Sequence, residues 1–358
     1  MKVGLIFNQK KALSNAAVSE KEEVQGASDA EDAFLEWDEA ETIQAIAHAL
    51  KLRHDVILIE ADKQVSQRLK AERPDIVFNI AEGRQGPLRE AEIPTLLESL
   101  EIPYTGSDPE TLTITLDKAW TKRVVRRFGI QTPDSLVCES SDYYLNGLKF
   151  PLIVKPLWEG SSKGIPDQAV VETHRELRKQ ILRVLERYQQ PVLLEKFLSG
   201  REFTLALLGN GESLEVLPIV EINLKALPRK AHPIYSYEAK WVWDTPETPL
   251  SIFECPAKVS PSLERKLKRF ARKTFQVLKC RDWCRVDVRL DECGEVNLLE
   301  VNPLPGILPR PEQNSCFPKA ARARGMTYEE LILKVLSIAC KREGLREDVP
   351  RTHRHSLR

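Results

Sequence analysis

The 358-residue sequence has no excess charge of either sign: Lys+Arg and Asp+Glu both number 53. A balanced surface provides no broad field for nucleic acid or for an anionic membrane face. No run is long and apolar enough to span a bilayer. The opening residues, Met1-Lys-Val-Gly-Leu-Ile-Phe-Asn8, read as a first β-strand and not as a signal peptide. Cysteine is present but poorly arranged for metal or disulfide work. The seven stand at 138, 255, 280, 284, 293, 316 and 340, an odd number, and Cys280-x3-Cys284 has no second Cys/His pair at ligand spacing. Reduced thiols in a cytoplasmic protein are the expectation, and zinc is disfavoured. There is no internal repeat and no Gly-x4-Gly-Lys-Ser/Thr phosphate loop. What remains is ordinary globular material, 42% hydrophobic and 30% charged, long enough for two to three domains.

The first third alternates strand and helix patterns. Strands are expected at 1–8, Asp55–Glu60 and Asp75–Ile80, with a helix over 38–52. That rhythm predicts a small parallel sheet. Residues 9–33 are polar and poor in large apolar groups, which predicts a mobile loop or lid. Ser107-Asp-Pro-Glu is a helix start, with Asp108 or Ser107 as N-cap and Pro109 in the first turn; the helix runs to Leu116 and a second covers Lys118–Phe128. After a break at Gly129–Pro133 come a strand at Pro151–Pro156, a Gly/Ser loop, a helix at His174–Arg187 and a strand at Pro191–Glu195. Strands near 202–208 and 214–222, a Pro-rich stretch at 228–256, and helices at 262–279 and 327–341 complete the reading. The domains are expected at 1–113, 114–194 and 195–341, followed by a disordered basic tail, 342–358.

The most informative text is Arg285-Val-Asp287-Val-Arg-Leu, followed by Glu300-Val-Asn302-Pro-Leu-Pro-Gly306. Both runs alternate, so Arg285, Asp287 and Arg289 share one face and Glu300 and Asn302 share a face of the next strand. A hairpin turning at Asp291–Glu295 brings Asp287, Glu300 and Asn302 together beside Arg285. Hard oxygen ligands with one arginine suit Mg²⁺ carrying a nucleotide phosphate; the alternative is a surface hairpin with a wet polar side. Glu159-Gly-Ser-Ser-Lys-Gly164 follows a strand that ends in Lys155, and its glycines, hydroxyls and N–H groups suit phosphate, or else form a solvated turn. Lys118 at a helix start is by default a solvent-facing lysine. Glu195 to Glu202 reads as a strand end crossing a turn, able to meet a planar base, or as a plain surface turn.

Together these segments resemble the D-alanine–D-alanine ligases of the ATP-grasp superfamily. The matching text is Ile102-Pro-Tyr-Thr-Gly-Ser107, Leu116-Asp-Lys118, Val154-Lys-Pro156, Glu159–Gly164, Leu194-Glu-Lys196, Ser199-Gly-Arg-Glu-Phe-Thr204, Tyr237-Glu-Ala-Lys240, Phe253-Glu-Cys-Pro-Ala257 and the 285–306 text, in order over residues 75–340. The resemblance implies an α/β chain, α+β in its ATP-grasp part: a three-domain ATP-grasp fold with an N-terminal Rossmann-like parallel sheet. ATP would lie between the central and C-terminal domains. Lys118 and Lys155 would contact phosphates, Lys155 toward the adenine side. The loop of Glu159, Gly160, Ser161 and Ser162 would close over them. Glu195 and the backbone of Lys196, Phe197 and Leu198 would take adenine, Glu202 the ribose, and Lys240 the γ-phosphate. Asp287, Glu300 and Asn302 would hold two Mg²⁺, with Mn²⁺ as a substitute. Arg285 and the Gly306 N–H would steady a tetrahedral intermediate, with Ser161 in the same reacting region.

The amino-acid half departs from that pattern. The family carries a Glu after the first strand that grips the first substrate's ammonium; none stands in register in Phe7-Asn-Gln-Lys-Lys-Ala-Leu-Ser14. Glu82 stands where a His-Gly pair is usual, a site for an ammonium. Trp241 replaces a tyrosine that forms a Glu–Tyr–Ser161 triad, and an indole N–H only donates. A Ser-Leu for the second substrate's carboxylate falls in register near Pro311-Glu312, with Arg310 beside it to supply positive charge, and Lys163 replaces an apolar loop residue. The expectation is an ATP-dependent carboxylate–amine ligase acting through an acyl phosphate on small-molecule acids and amines, with no nucleic-acid or membrane partner. The resemblance makes a homodimer a further expectation. The alternatives are an authentic D-alanine–D-alanine ligase, or an ATP-grasp kinase or nucleotide-binding protein without ligation.

Overall fold

The computed structural model describes residues 1–10, 34–244, 248 and 250–346. Most of the expected 9–33 loop and the 347–358 tail lie outside the described residues. Three sheets organise the chain.

The first is parallel. Strand β1 (Lys2–Phe7) lies between β2 (Asp55–Glu60) and β3 (Ile76–Asn79), with Leu5 opposite both Leu58 and Phe78. β1 is apolar nearly throughout because a central parallel strand is covered on both faces. Helix α1 (Ala40–Lys51) buries Ile43, Ile46, Ala47 and Leu50, an i, i+3, i+4, i+7 stripe. Helices α2 (Val65–Glu72) and α3 (Glu92–Ser99) were not legible as helices in the sequence; each is only eight residues long, with little room for periodicity. In α4 (Pro109–Leu116) the Asp108 carboxylate accepts the Thr111 N–H at 2.8 Å, the expected cap. Asp117 then caps α5 (Lys118–Arg127), accepting from the Trp120 N–H at 2.7 Å, which sets Lys118 at the first position of that helix.

The second sheet has β4 (Ser135–Cys138), β5 (Leu152–Pro156), β6 (Val170–Val171) and β7 (Val192–Lys196) in the antiparallel order β4-β7-β5-β6. Helix α6 (His174–Tyr188), opened by a Thr173/Glu176 capping box, packs on it. The third sheet runs β11-β10-β8-β12-β13, with β9 on β8: β8 (Glu202–Leu208), β9 (Glu215–Val216), β10 (Val220–Ile222), β11 (Phe253–Glu254), β12 (Trp283–Leu290) and β13 (Val296–Asn302). The single strand expected over 214–222 is two, interrupted around Pro218, which has no N–H for a ladder.

Along β8, Phe203, Leu205 and Leu207 join one core and Ala206 and Leu208 another, as period 2 requires. Helix α7 (Pro261–Val277) covers the first face, and α8 (Cys316–Ala323), absent from the sequence expectation, covers the second through Phe317. The second core is continuous with that of the parallel sheet and of α9 (Tyr328–Arg342). Arg342 is no tail residue: its guanidinium binds the buried Asp282 carboxylate at 2.8 and 3.0 Å and the Tyr104 carbonyl at 2.7 Å. The boundaries expected at 113/114 and 194/195 fall inside α4 and β7.

Candidate active site

A cavity of about 420 Å³ is bordered by strands of the second and third sheets and by chain that follows β1 and β3 of the first. Its floor is the β12–β13 hairpin. Arg285 pairs with Asn302 and Asp287 with Glu300, directly across the ladder, and a bulge follows Asp287. The Arg285 guanidinium grips Asp287 through Nε at 3.1 Å to each carboxylate oxygen and Nη2 at 2.9 Å. The Asn302 amide and the Thr204 hydroxyl also donate to Asp287. Glu300 lies 3.7 Å from Arg285 and 3.9 Å from the Lys118 ammonium. Burial, opposed by Arg285 and reinforced by Glu300, pushes the Asp287 carboxyl up. Burial acts on Glu300 the same way, but Lys118, Arg285 and Lys155 outweigh it and hold that carboxyl down. Two carboxylates and an amide oxygen turned to one cavity are a hard-oxygen set that fits Mg²⁺. Among the described residues no group of three His, Cys, Asp or Glu side chains gathers that could hold a metal ion by itself, so the set depends on the Asn302 amide.

The Gly/Ser loop is tied down residue by residue. Lys118 donates to the Glu159 carbonyl. The Glu159 carboxylate is held by Lys163 at 2.9 Å and by the Gln190 amide at 2.8 Å, so the departure at 163 braces the loop. The Ser162 hydroxyl donates to the Tyr235 carbonyl at 2.8 Å, and the Trp241 indole donates to the Ser161 carbonyl at 3.2 Å. The indole therefore replaces a side-chain triad with a contact to backbone. Ser161 and Ser162 have φ of 52° and 60°, a left-handed backbone that non-glycine residues rarely take and that clusters at ligand loops. Lys240, on a π-helical turn (Ala239–Trp243), has its ammonium 5.2 Å from the Trp241 ring centre. Burial and the nearby Arg285 lower its pKa to about 8.

At the far end of β5 and β7, Glu195 is 1% exposed and bracketed by Lys155 at 2.9 Å and Lys122 at 2.6 Å. Burial opposes its charge, but the two lysines outweigh burial and bring the carboxyl to about 2. The carboxylate expected to face a base is thus turned to these lysines, and its geometric effect is to fix Lys155. The Lys196 side chain points outward to Glu292, and the N–H groups of Lys196 and Phe197 already donate to the Asp134 and Pro151 carbonyls at 2.9 and 3.1 Å. Lys196, Phe197 and Leu198 still line the cavity. Glu202 meets Arg289 at 3.2 Å, and Arg289 also lies 5.0 Å from the Phe197 ring centre.

The other end joins Glu82 and Gly306, both expected, to residues that the sequence reading missed. Glu36 lines the cavity, delivered by the chain that re-enters just before α1. A carboxylate therefore stands at the cavity beside the end of the first strand, although none follows that strand in register in the sequence. Arg89 is 4% exposed and meets Glu36 at 2.8 Å, Glu82 at 3.4 Å and Glu90 at 3.5 Å. Burial and mutual repulsion push Glu82 well up, and burial with Glu36 brings Glu90 to about 7. Gly306 lines the cavity, and the Ser315 hydroxyl donates to its carbonyl at 2.9 Å. Arg310 does not reach the cavity: it is surface-exposed and paired with Glu41 of α1. The chain between Pro309 and Ser315 loops outward, so counting forward from Gly306 arrives at the wrong residue; Gln313, Asn314 and Ser315 are the ones at the wall.

Comparison with known proteins agrees with this geometry. The family model described as "D-ala D-ala ligase C-terminus" matches residues 125–337. A D-alanine–D-alanine ligase of Aquifex aeolicus is 34% identical over 299 residues, covering 83% of this chain and 94% of that one. The chain belongs to the D-alanine–D-alanine ligase family. An uncharacterized protein of Sinorhizobium fredii is 33% identical over 317 residues, 86% of this chain and 89% of its own. The crystal structure of D-alanine–D-alanine ligase from Bacillus anthracis aligns over 96% of this chain and 99% of that one, with a TM-score of 0.70 and 25% identity. As a member of this ATP-grasp family the protein is an ATP-dependent ligase that forms C–N bonds between a carboxylate and an amine. The family uses ATP and, in general, a divalent metal. No described helix is long and apolar enough to cross a membrane.

Proposed function

We propose that the protein joins an amino acid or related carboxylate to an amino-acid-like acceptor through an acyl phosphate. A substrate carboxylate oxygen attacks the γ-phosphorus of ATP and ADP leaves. The acceptor amine then attacks the acyl carbon, phosphate departs and the amine loses a proton. Lys118, Lys155 and Lys240 bind phosphate oxygens, and Arg285 is the charge that weighs most on Lys240. Asp287, Glu300 and Asn302 hold two Mg²⁺, for which Mn²⁺ substitutes. When bound, the ions neutralise charge on the transferring phosphoryl group. Arg285 and the Gly306 N–H offset the oxyanion that forms as the amine attacks. The loop of residues 159–164 keeps water away from the activated acid.

The observation that carries this reading is the hairpin register that sets Arg285, Asp287, Glu300 and Asn302 side by side in one cavity with Lys118. The acids at the other end, Glu36, Glu82 and Glu90 around a single arginine, suit an ammonium group. A second reading, authentic D-alanine–D-alanine ligase, is favoured by Glu36 and Ser315, which return to the cavity two groups that counting along the chain denied. ADP release over a matrix of D- and L-amino acids with Mg²⁺, each product identified by mass, separates the two. The ligase reading predicts ADP release that requires both an acid and an amine; phosphorylated acid accumulating with no amide would replace it with a kinase.

A further inference from the structure

The Gly160–Ser162 backbone is met from two sides. On one, Trp241 donates to the Ser161 carbonyl, and its ring lies 5.6 Å from the Lys10 ammonium and 5.2 Å from that of Lys240. On the other, Glu36 sits against Gly160 so closely that any side chain at 160 would run into its carboxylate. What keeps Glu36 there is visible. The Trp37 indole donates to the Gly83 carbonyl at 2.8 Å, and the Gly83 N–H donates to the Asn8 side chain at 2.9 Å, which fixes the segment's backbone. Arg89 fixes the side chain: Nη1 donates to the Glu82 carbonyl at 2.8 Å, while Nη2 meets Glu36 at 2.8 Å. The Nη1 hydrogen bond to backbone and the Nη2 ion pair with Glu36, a charge attraction without an aligned hydrogen bond, hold the buried guanidinium between the two.

Resting on the ligase reading above, we propose that Arg89 is a positioning residue: it holds Glu36 as an abutment against the Gly160 backbone, so that the phosphate loop closes over bound nucleotide and shields the activated acid from water. Arg89 touches no reacting atom in this arrangement. It acts through Glu36, and Glu36 acts through a contact that a Cβ at 160 would force to shift. The N-terminal segment and the loop of the second sheet thereby move as one part during closure.

The test is hydrogen exchange of loop residues 158–164 in the full-length protein with Mg²⁺ and a non-hydrolysable ATP analogue, together with the ratio of ADP released to amide formed. Nucleotide is expected to protect the wild-type loop. Arg89→Met and Glu36→Gln should lose at least about fivefold of that protection, and Arg89→Lys should recover part of it, since an ammonium keeps the charge but not the fork. Gly160→Ala reaches the same contact from the loop side: its methyl displaces the Glu36 carboxylate while Arg89 keeps Glu82 and Glu90, so it answers the question even if Arg89→Met does not fold. With a working acid and amine, the ADP-to-amide ratio should rise about fivefold or more in the same variants, whereas a merely structural loss lowers both products together. Loop protection and product ratio unchanged in Glu36→Gln and Gly160→Ala would overturn the proposal. A wild-type protein that binds no nucleotide would instead overturn the ligase reading, and the abutment with it.

Discussion

The two ends of the cavity solve the same problem, a buried glutamate, in opposite ways. At the β5–β7 end one carboxylate, Glu195, has two lysines, and its carboxyl falls to about 2. At the β3–α3 end three carboxylates share one arginine, and Glu90 rises to about 7. The first end is complete in itself and rigid. The second is short of positive charge, which is what a site awaiting an ammonium looks like. Glu195 is the more deeply buried, at 1% against 12–16% for the other three, yet its carboxyl is the one held down, so the number of cations within reach, and not depth, sets the direction of each shift.

The comparison breaks first at the hairpin that both ends serve. Glu300→Gln should abolish ADP release, a loss of at least about 10³-fold, because a metal ligand and a partner of Lys118 go together; turnover near wild type would remove the metal assignment. Arg285→Met should lower the amide-forming rate by about 10²–10³-fold while nucleotide binding persists, as for loss of one oxyanion donor. Lys122→Met unbalances the cation-rich end. It should cost about 3 kcal/mol in urea unfolding, the usual price of breaking one side of a buried pair, and raise the KM for ATP about tenfold as Lys155 is drawn to Glu195.

Stability against pH sharpens the contrast further. A carboxyl lifted from 4.5 to about 7 in the fold keeps its proton there while the unfolded chain has lost it, so stability falls as pH rises from about 4.5 to 7. Asp38, also at about 7, acts in the same window. Glu195, brought down to about 2, does the reverse: its stabilisation is present above about 4.5 and is lost as pH falls toward 2. Glu90→Gln should therefore gain on the order of 1–2 kcal/mol at pH 8 relative to pH 5 in chemical denaturation. A flat difference would mean that Glu90 titrates normally. Arg310→Ala should change turnover less than about twofold, since its guanidinium faces Glu41 outside the cavity.

The two ends also differ in how far the sequence revealed them. Asp287, Glu300 and Asn302 sit on two consecutive strands that alternation declares, but the register set by the turn at Asp291–Gly294 would pair Asp287 with Leu299; the bulge after Asp287, which no local pattern announces, brings Glu300 and Asn302 onto its face. Lys118 and Lys155 likewise stand at helix and strand ends that local pattern defines. Glu36, Arg89, Glu90 and Ser315 have no such support. They come from irregular chain after an inserted segment, from a single 3₁₀ turn and from an outward loop, where position depends on tertiary packing. Lys122 lay one helical turn beyond Lys118 and was readable as its neighbour on the same face, yet nothing local said that this face was buried. The long strands and helices were legible for the same reason as the hairpin; α2, α3 and α8 were too short to declare a period.

The packing of α9 against α1 and the first sheet has a consequence for how the molecule is made. Ile46, Leu50 and Phe78 share their apolar neighbourhood with Leu331, Val335 and Leu336, near the opposite end of the polypeptide. A ribosome delivers the first group long before the last. During synthesis the parallel sheet therefore emerges with one flank uncovered, and that flank is sealed only when α9 leaves the exit tunnel and docks.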